Sequence, residues 1–167
     1  MIWTIKDFER VWTQEFDRTQ KLFKHLSDKA LAQQSDPAGR TLGRLAWHLV
    51  ITIPEMLGKT GLTIEGPGES QPVPISIRQI KDAYEKAGLS ALTEVKSKWT
   101  DATLQLTDTM YGQIWKRGET LTAMIFHQIH HRGQMTVLMR QAGLPVPGLY
   151  GPAREEWAQW GMPTPSI

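Results

Sequence analysis

The chain has 167 residues, of which 40% are hydrophobic and 22% charged, and its formal net charge is +2. This length fits one domain that buries a hydrophobic core without disulfides or a structural metal. The 19 basic and 17 acidic side chains are interspersed, which excludes the concentrated basic surface of a nucleic-acid-binding protein. The chain has no cysteine, so thiolate ligands and a cysteine nucleophile are also excluded, and any metal ligand is nitrogen or oxygen.

No segment of the sequence is typical of membrane insertion. The first ten residues already contain charged side chains and lack the apolar run of a signal peptide: Lys6, Asp7, Glu9 and Arg10. The longest apolar stretch, 45–53, contains a histidine and a threonine and falls well short of the roughly 18 residues that cross a bilayer. We therefore predict a cytoplasmic protein with no membrane partner.

The first half of the chain predicts two helices and a loop. Apolar side chains recur every three or four positions over about 4–31, as in an amphipathic helix. A second helix over about 38–58 follows an Asp-Pro pair at 36–37, which is typical of a helix start. Pro54 predicts a kink in this helix. Residues 61–74 contain three glycines and three prolines and predict a loop.

The second half predicts two more helices. The third covers about 76–103 and opens with Ser76 and Gln79, a capping-box arrangement. Residues 104–118 are rich in threonine and predict a short extended excursion. The fourth helix covers about 120–141, and a tail follows over 145–167. We predict one all-α domain over 1–167, an up-and-down four-helix bundle with one long crossover connection.

The histidines are the most informative residues for function. His127 and His131 lie about 40° apart on one apolar face of the fourth helix, one turn apart, so their imidazoles can bind the same ion. The geometry also permits a pair of His127 and His130. Burying two imidazoles without partners costs about 1–3 kcal/mol each, which favours a ligand role over a core role. His48, central on the second helix, is the natural third ligand, whereas His25 lies among lysines and is assigned no role.

Three further residues are candidates for the chemistry around such an ion. Glu55 lies two turns after His48 and could serve as a ligand, as a carboxylate that supports a ligand, or as a general base. The alternative is a surface carboxylate displaced by the Pro54 kink. Arg44 and Arg132 could neutralise an anionic cosubstrate, or could form surface salt bridges instead. The catalytic group itself remains unassigned.

Two motifs surround these histidines. They are Thr-Leu-Gly-Arg-Leu-Ala-Trp-His-Leu at 41–49 and His-Gln-Ile-His-His-Arg-Gly-Gln at 127–134. In sequence and order they resemble the DinB/YfiT-like superfamily of metal-binding four-helix bundles, over nearly the whole chain. The resemblance implies a divalent ion, zinc or nickel, held by His48, His127 and His131, with His130 as a neighbour. It further implies a homodimer and, from characterised relatives, a transferase that uses bacillithiol, mycothiol or glutathione.

Three histidine ligands leave at least one coordination position open, which is typical of a catalytic site. A divalent ion lowers the pKa of the water or thiol that it binds. Because the chain has no cysteine, a thiol must arrive as a low-molecular-weight cosubstrate. We predict a divalent-metal-binding protein, a metal-dependent S-transferase or hydrolase acting on a small molecule. Its metal affinity should fall below about pH 6, as protons compete for the imidazoles.

Two alternatives use the same residues without catalysis. One is a metal-binding stress-response protein in which a fourth protein ligand, such as Glu55, blocks the open position. The other is a helical-bundle interaction module in which the histidines are core residues.

Overall fold

The computed structural model describes residues 1–163, which form four α-helices and one β-hairpin. In chain order the elements are α1 (Ile5–Phe23), α2 (Leu42–Gly58), α3 (Ile77–Lys98), β1 (Thr107–Met110), β2 (Gln113–Lys116) and α4 (Arg117–Gln141). The predicted all-α bundle is confirmed, and the hairpin is the only sheet within residues 1–163. No helix in that range is long and apolar enough to cross a membrane.

α1 starts where the sequence predicts and ends earlier. The Thr4 hydroxyl accepts a hydrogen bond from the Asp7 backbone N–H at 3.0 Å, and the Asp7 carboxylate accepts one from the Thr4 N–H at 3.2 Å. Beyond Phe23 the backbone N–H groups of His25 and Leu26 bond to carbonyls three residues back, which tightens and ends the helix. The predicted extension to residue 31 is therefore wrong, and a short 3-10 turn, Asp28–Ala32, replaces it.

α2 starts later than predicted because the Asp-Pro pair forms a turn. The Asp36 carboxylate accepts from the Ala38 N–H at 3.0 Å, and its carbonyl accepts from the Gly39 N–H. Thr41 caps the helix instead, since its hydroxyl accepts from the Arg44 N–H at 3.1 Å. Pro54 lies inside α2, and the helix continues past it to Gly58.

The start of α3 depends on a contact that the local sequence does not contain, whereas α4 starts at a local cap. The Ser76 side chain makes no capping bond, and the Ile77 N–H donates instead to the Asp28 carboxylate at 2.7 Å. Trp99 is extended, so α3 ends at Lys98 rather than at 103. α4 begins at 117, before the predicted 120, because the Glu119 carboxylate accepts from the Lys116 N–H at 2.7 Å.

The predicted extended excursion between α3 and α4 is an antiparallel hairpin. β1 and β2 pair from Thr107 with Lys116 to Met110 with Gln113. The tail after α4 contains a 3-10 turn, Trp157–Trp160. The last four residues of the predicted tail, 164–167, lie outside the described residues.

The core is built on aromatic packing between α1 and α3. The Phe16 and Phe23 rings both lie 5.3 Å from the Tyr84 ring. A Cβ atom on Gly88 would lie 2.3 Å from the Phe16 ring, so only glycine permits this approach. The Trp12 indole N–H donates to the Gly88 carbonyl at 3.0 Å. On the other side of α3, α2 packs against both α3 and α4, which brings the histidine-bearing helices together.

Candidate metal centre

Three of the five histidines meet between α2 and α4. The Nε2 atom of His127 lies 3.1 Å from Nε2 of His48 and 3.0 Å from Nε2 of His131. One ligand nitrogen from each ring can be chosen so that all three lie within 4.8 Å of one another. The structure therefore brings together the three histidines that the sequence singles out.

A buried glutamine sets the register between the two helices at this point. Gln128 is fully buried on α4, and its amide N–H donates to the Leu49 carbonyl of α2 at 2.9 Å. Its amide oxygen accepts from the Tyr84 hydroxyl of α3 at 3.2 Å. Because Gln128 follows His127 and Leu49 follows His48 in the chain, this bond holds the two imidazoles opposite each other.

The nitrogen arrangement fits a cation better than it fits hydrogen bonding. Each imidazole nitrogen carries one proton or one lone pair, so Nε2 of His127 cannot make full hydrogen bonds to both neighbouring rings. At metal–nitrogen distances of about 2.0–2.1 Å, two ligands lie about 2.9 Å apart at a right angle and about 3.3 Å apart at a tetrahedral angle. The observed separations of 3.1 and 3.0 Å fall within that range.

A neighbouring amide orients one of the three rings. The Nδ1–H of His131 donates to the side-chain oxygen of Gln134 at 2.7 Å. This bond places the ring proton on Nδ1 and leaves the lone pair on Nε2, the atom that faces the other histidines. Metal-bound histidines usually have such a partner on the second nitrogen, which fixes the tautomer. Nδ1 of His127, by contrast, is buried and has no partner within residues 1–163.

The environment keeps these imidazoles neutral. Burial is the main cause that lowers the pKa of His48 from its usual 6.5 to about 3, with contributions from His127 and His131. Burial, and then His131, lowers the pKa of His127 to about 4. Burial also lowers the pKa of His131, although the hydrogen bond to Gln134 opposes it. Neutral imidazole is the form that binds a metal, so proton competition should set in below the predicted pH 6.

The same shifts predict how the stability of the metal-free protein depends on pH. Unfolded histidines take up protons near pH 6.5, whereas folded His48 and His127 do so only near pH 3 and 4. Between these values the unfolded state binds more protons, so stability present above pH 6.5 is lost as the pH falls. Each histidine changes the free energy of unfolding by at most about 1.4 kcal/mol per pH unit, and by less here because the rings are partly exposed.

Denaturant titrations of the metal-free protein from pH 7 to about pH 4.5 measure this dependence. The double variant His48→Gln/His127→Gln should show a smaller decrease in the free energy of unfolding as the pH falls. His25→Gln, a change of a histidine outside the cluster, should retain the full decline. An identical decline in all three proteins would contradict the lowered pKa values.

His48 and His127 line a pocket of about 500 Å³ between α2, α4 and the hairpin. Its walls combine three charged side chains, those of Arg44, Glu55 and Glu69, with polar and apolar ones. The lining residues are Arg44, His48, Ile51, Thr52, Glu55, Met56, Glu69, Tyr111, Trp115, Ala123 and His127.

Two arginines carry positive charge close to the imidazoles. Arg44, one turn before His48, is half-buried in the pocket wall and forms no ion pair within residues 1–163. The charge of Arg40 contributes to lowering the pKa of His48, His127 and His131. The position of Arg44 is compatible with the predicted contact to an anionic molecule.

Glu55 lines the pocket, but its carboxylate is bonded to residues other than the histidines. Its carboxylate accepts a hydrogen bond from the Tyr111 hydroxyl at 2.7 Å and lies 3.2 Å from the Lys59 ammonium. It follows His48 by seven residues, about 10 Å along the helix axis. Within residues 1–163, the one cluster of potential ligands contains the three histidines without Glu55.

The structure places Arg132 elsewhere. Its guanidinium is 1% exposed, pairs with the Glu15 carboxylate and donates to the Thr19 hydroxyl at 2.8 Å. Burial alone would raise the pKa of Glu15, but hydrogen bonds from Tyr150 and Arg132, with the charge of Arg132, lower it. Arg132 lines a second pocket of about 540 Å³ that contains none of the three histidines. Arg132 lies within the histidine motif in the sequence. Because consecutive residues of a helix face different sides, its side chain nevertheless lines a different pocket.

The two other histidines lie outside the cluster. His130 is exposed and stands beside His131, with ring centroids 4.9 Å apart, outside the cluster. His25 is half-buried and also lies outside it. The Trp47 indole N–H donates to the Gln71 carbonyl at 3.2 Å, which ties the loop 61–74 to α2 near the pocket.

Sequence reasoning missed three residues of this site. Gln134 is one helical turn after His131, and that spacing was the available signal. Arg40 precedes Thr41, the N-cap of α2, and lies eight positions before His48 in the chain. Tyr111 precedes Gly112 between two short extended runs, a pattern that could have predicted a tight hairpin turn.

A family model described as the DinB family matches residues 1–162. The chain belongs to the DinB family. This confirms the family that the two histidine motifs resemble, and the match covers all four helices and the hairpin of the DinB fold seen here.

This DinB-family protein is similar to YrdA in sequence and to solved DinB-like structures in fold. YrdA of Bacillus subtilis (strain 168) is 47% identical over 167 residues, which is 100% of both chains. A crystal structure of a DinB-like protein from Bacillus cereus ATCC 10987 is 45% identical, with a TM-score of 0.86 over 90% of this chain and 100% of that one. The DinB-like protein YjoA from Bacillus subtilis, at 15% identity, matches the fold with a TM-score of 0.67 over 86% and 96% of the chains.

Proposed function

We propose that this DinB-family protein binds one divalent ion, zinc or nickel, through His48, His127 and His131. We further propose that it is a metal-dependent enzyme of S-transferase or hydrolase type that acts on a small molecule. The observation that carries the proposal is the convergence of three neutral imidazoles beside a pocket of about 500 Å³. A structural metal site would instead close its fourth position with protein.

The second candidate, a non-catalytic metal-binding protein, needs a fourth ligand from the chain. Glu55 was the candidate for that ligand, and its carboxylate is instead bonded to Tyr111 and Lys59. An ion with an open position supplies Lewis acidity, which favours the deprotonated form of a thiol or water at neutral pH. Because Glu55 is bonded elsewhere, it does not close the open position, and this favours the catalytic alternative.

A thiol nucleophile would have to come from solution, because the chain has no cysteine. Arg44 would bind an anionic group of that cosubstrate or of the second substrate. Its guanidinium lines the pocket one turn from His48 and has no acidic partner within residues 1–163. The homodimer and the cytoplasmic location remain predictions.

The proposal is tested with zinc-loaded and nickel-loaded protein. Glutathione or bacillithiol is supplied with electrophiles such as aryl chlorides and epoxides, and a parallel panel contains esters and amides. Thiol-dependent consumption of an electrophile would establish a transferase, and thiol-independent cleavage would establish a hydrolase. Turnover of neither kind, by protein that holds its metal, would overturn the enzymatic proposal and favour the non-catalytic one.

Arg44→Met is expected to weaken binding of an anionic substrate without a matching loss of turnover. A charge-assisted hydrogen bond contributes about 1.5–3 kcal/mol, so KM should rise roughly 10-fold to 150-fold. Steady-state kinetics on the first substrate found in the panel measure this change. Arg78→Met is the matched control, since the Arg78 side chain is 88% exposed on α3 and lies outside the pocket. An unchanged KM in Arg44→Met would contradict the role of Arg44.

A further inference from the structure

Tyr111 has an unfavourable backbone conformation at the tip of the hairpin. The two residues that join β1 to β2 are Tyr111, with φ of 52°, and Gly112, with φ of 79°. Turns of this kind favour asparagine, aspartate or glycine at both positions. A bulky side chain at positive φ is uncommon, and such residues concentrate at functional sites. The tyrosine therefore requires an explanation that turn formation does not supply.

Three contacts hold the Tyr111 ring in place. Its hydroxyl donates to the Glu55 carboxylate of α2 at 2.7 Å. The Lys59 ammonium lies 5.5 Å from the ring centroid, and the Trp115 ring packs against it at 5.8 Å and 64°. The residue is nevertheless 57% exposed, so burial in the core does not account for its position.

The ring forms a wall of the pocket that contains His48 and His127. Its anchor, Glu55, lies about 10 Å along α2 from His48, so the wall stands at the opposite end from Arg44. The apolar side chains of Ile51 and Met56 from α2 also line the pocket. An apolar group that extends from the histidines along α2 would meet the faces or edges of Tyr111 and Trp115.

We propose that Tyr111 is a specificity-determining residue of this pocket, which selects small molecules that carry a flat apolar group, such as an aromatic ring. The Glu55 carboxylate positions the tyrosine. The inference rests on the proposed function in taking this pocket as the substrate site, but the contact with a flat group needs no metal.

The test compares two probes, phenylbutyrate and butyrate, which share a carboxylate and differ in the ring. Dissociation constants are measured by ligand-observed NMR for metal-free and zinc-loaded protein. Burying the ring should favour phenylbutyrate at least about 10-fold in both forms. Tyr111→Asn keeps a residue that accepts positive φ and removes the ring, and it should reduce this preference by about threefold or more.

Three further variants separate the contribution of the Tyr111 ring from the stability of the hairpin. Ile114→Asn changes an apolar side chain on the same hairpin that is 68% exposed and outside the pocket, and it should retain the preference. Glu55→Leu removes the acceptor of the Tyr111 hydroxyl and should lower the preference, whereas Glu55→Gln retains an acceptor and should restore it. Thermal unfolding checks that each variant is folded.

The outcomes separate this inference from the proposed function. An equal preference in wild type and Tyr111→Asn, or no preference in wild type, overturns the role of Tyr111 even if the protein holds metal. An equal loss in Ile114→Asn also overturns it. Protein that binds no metal but shows the predicted preference, lost in Tyr111→Asn, supports the role of Tyr111 and refutes the metal proposal.

Discussion

Replacing His127 with alanine is expected to reduce the affinity for zinc more than replacing any other single residue. Its Nε2 atom lies within 3.1 Å of Nε2 of both other histidines, so its loss leaves two nitrogens without the ligand between them. Loss of a group that only supports a ligand already reduces metal affinity about 10-fold to 100-fold. Loss of the ligand itself should exceed that range, and competition with a chromophoric chelator measures it.

His130→Ala is the matched control for this experiment. His130 lies on the same helix and next to His131 in the chain, but it is exposed and outside the cluster. The variant should bind zinc as the wild type does. Equal losses in the two variants, or none in His127→Ala, would contradict the proposed ligand set.

Glu15→Ala is expected to produce the largest loss of stability. The Glu15 and Arg132 side chains are 5% and 1% exposed, so the substitution leaves a buried guanidinium without its counterion. Removing one partner of a buried pair typically costs about 3–5 kcal/mol, because the remaining charge is uncompensated. Urea unfolding at pH 7 measures the change in the free energy of unfolding.

Two comparisons test the cause of that loss. Glu9→Ala also removes an acidic residue from α1, but Glu9 pairs with Lys96 at the surface, where both side chains are 43% exposed. Its loss should cost about 0–1 kcal/mol. Replacing the buried pair together, with Glu15→Leu and Arg132→Met, should recover much of the stability. Similar losses in Glu15→Ala and Glu9→Ala would contradict this account of the buried pair.

The fold was largely predictable because helical periodicity and the family motifs point to the same bundle. The errors lie at helix ends, where local capping bonds or a tertiary contact decide the outcome. α3 starts where the Ile77 N–H meets Asp28, a residue 49 positions away. α1 ends at Phe23 although the apolar spacing continues to Leu26, which is still buried after the helix has ended. Periodicity reports burial, and here burial extends beyond the helix.

The candidate site was predictable in its histidines and much less so in its surroundings. The spacing of His127 and His131 places both on one face of a helix, and that face is visible in the sequence. The pairing of Arg132 with Glu15 joins residues 117 positions apart, and the bond from Tyr111 to Glu55 joins residues 56 positions apart. Neither contact has a local signal, because both depend on how α1, α2, α4 and the hairpin pack.

We propose above that the three histidines hold one divalent ion. Elemental analysis of untagged protein, purified without a metal-affinity column, tests it most directly. We expect about one equivalent of zinc or nickel per chain, or uptake of one equivalent by protein stripped of metal and then supplied with the ion. Protein that contains no metal and takes up none when zinc or nickel is added would contradict it.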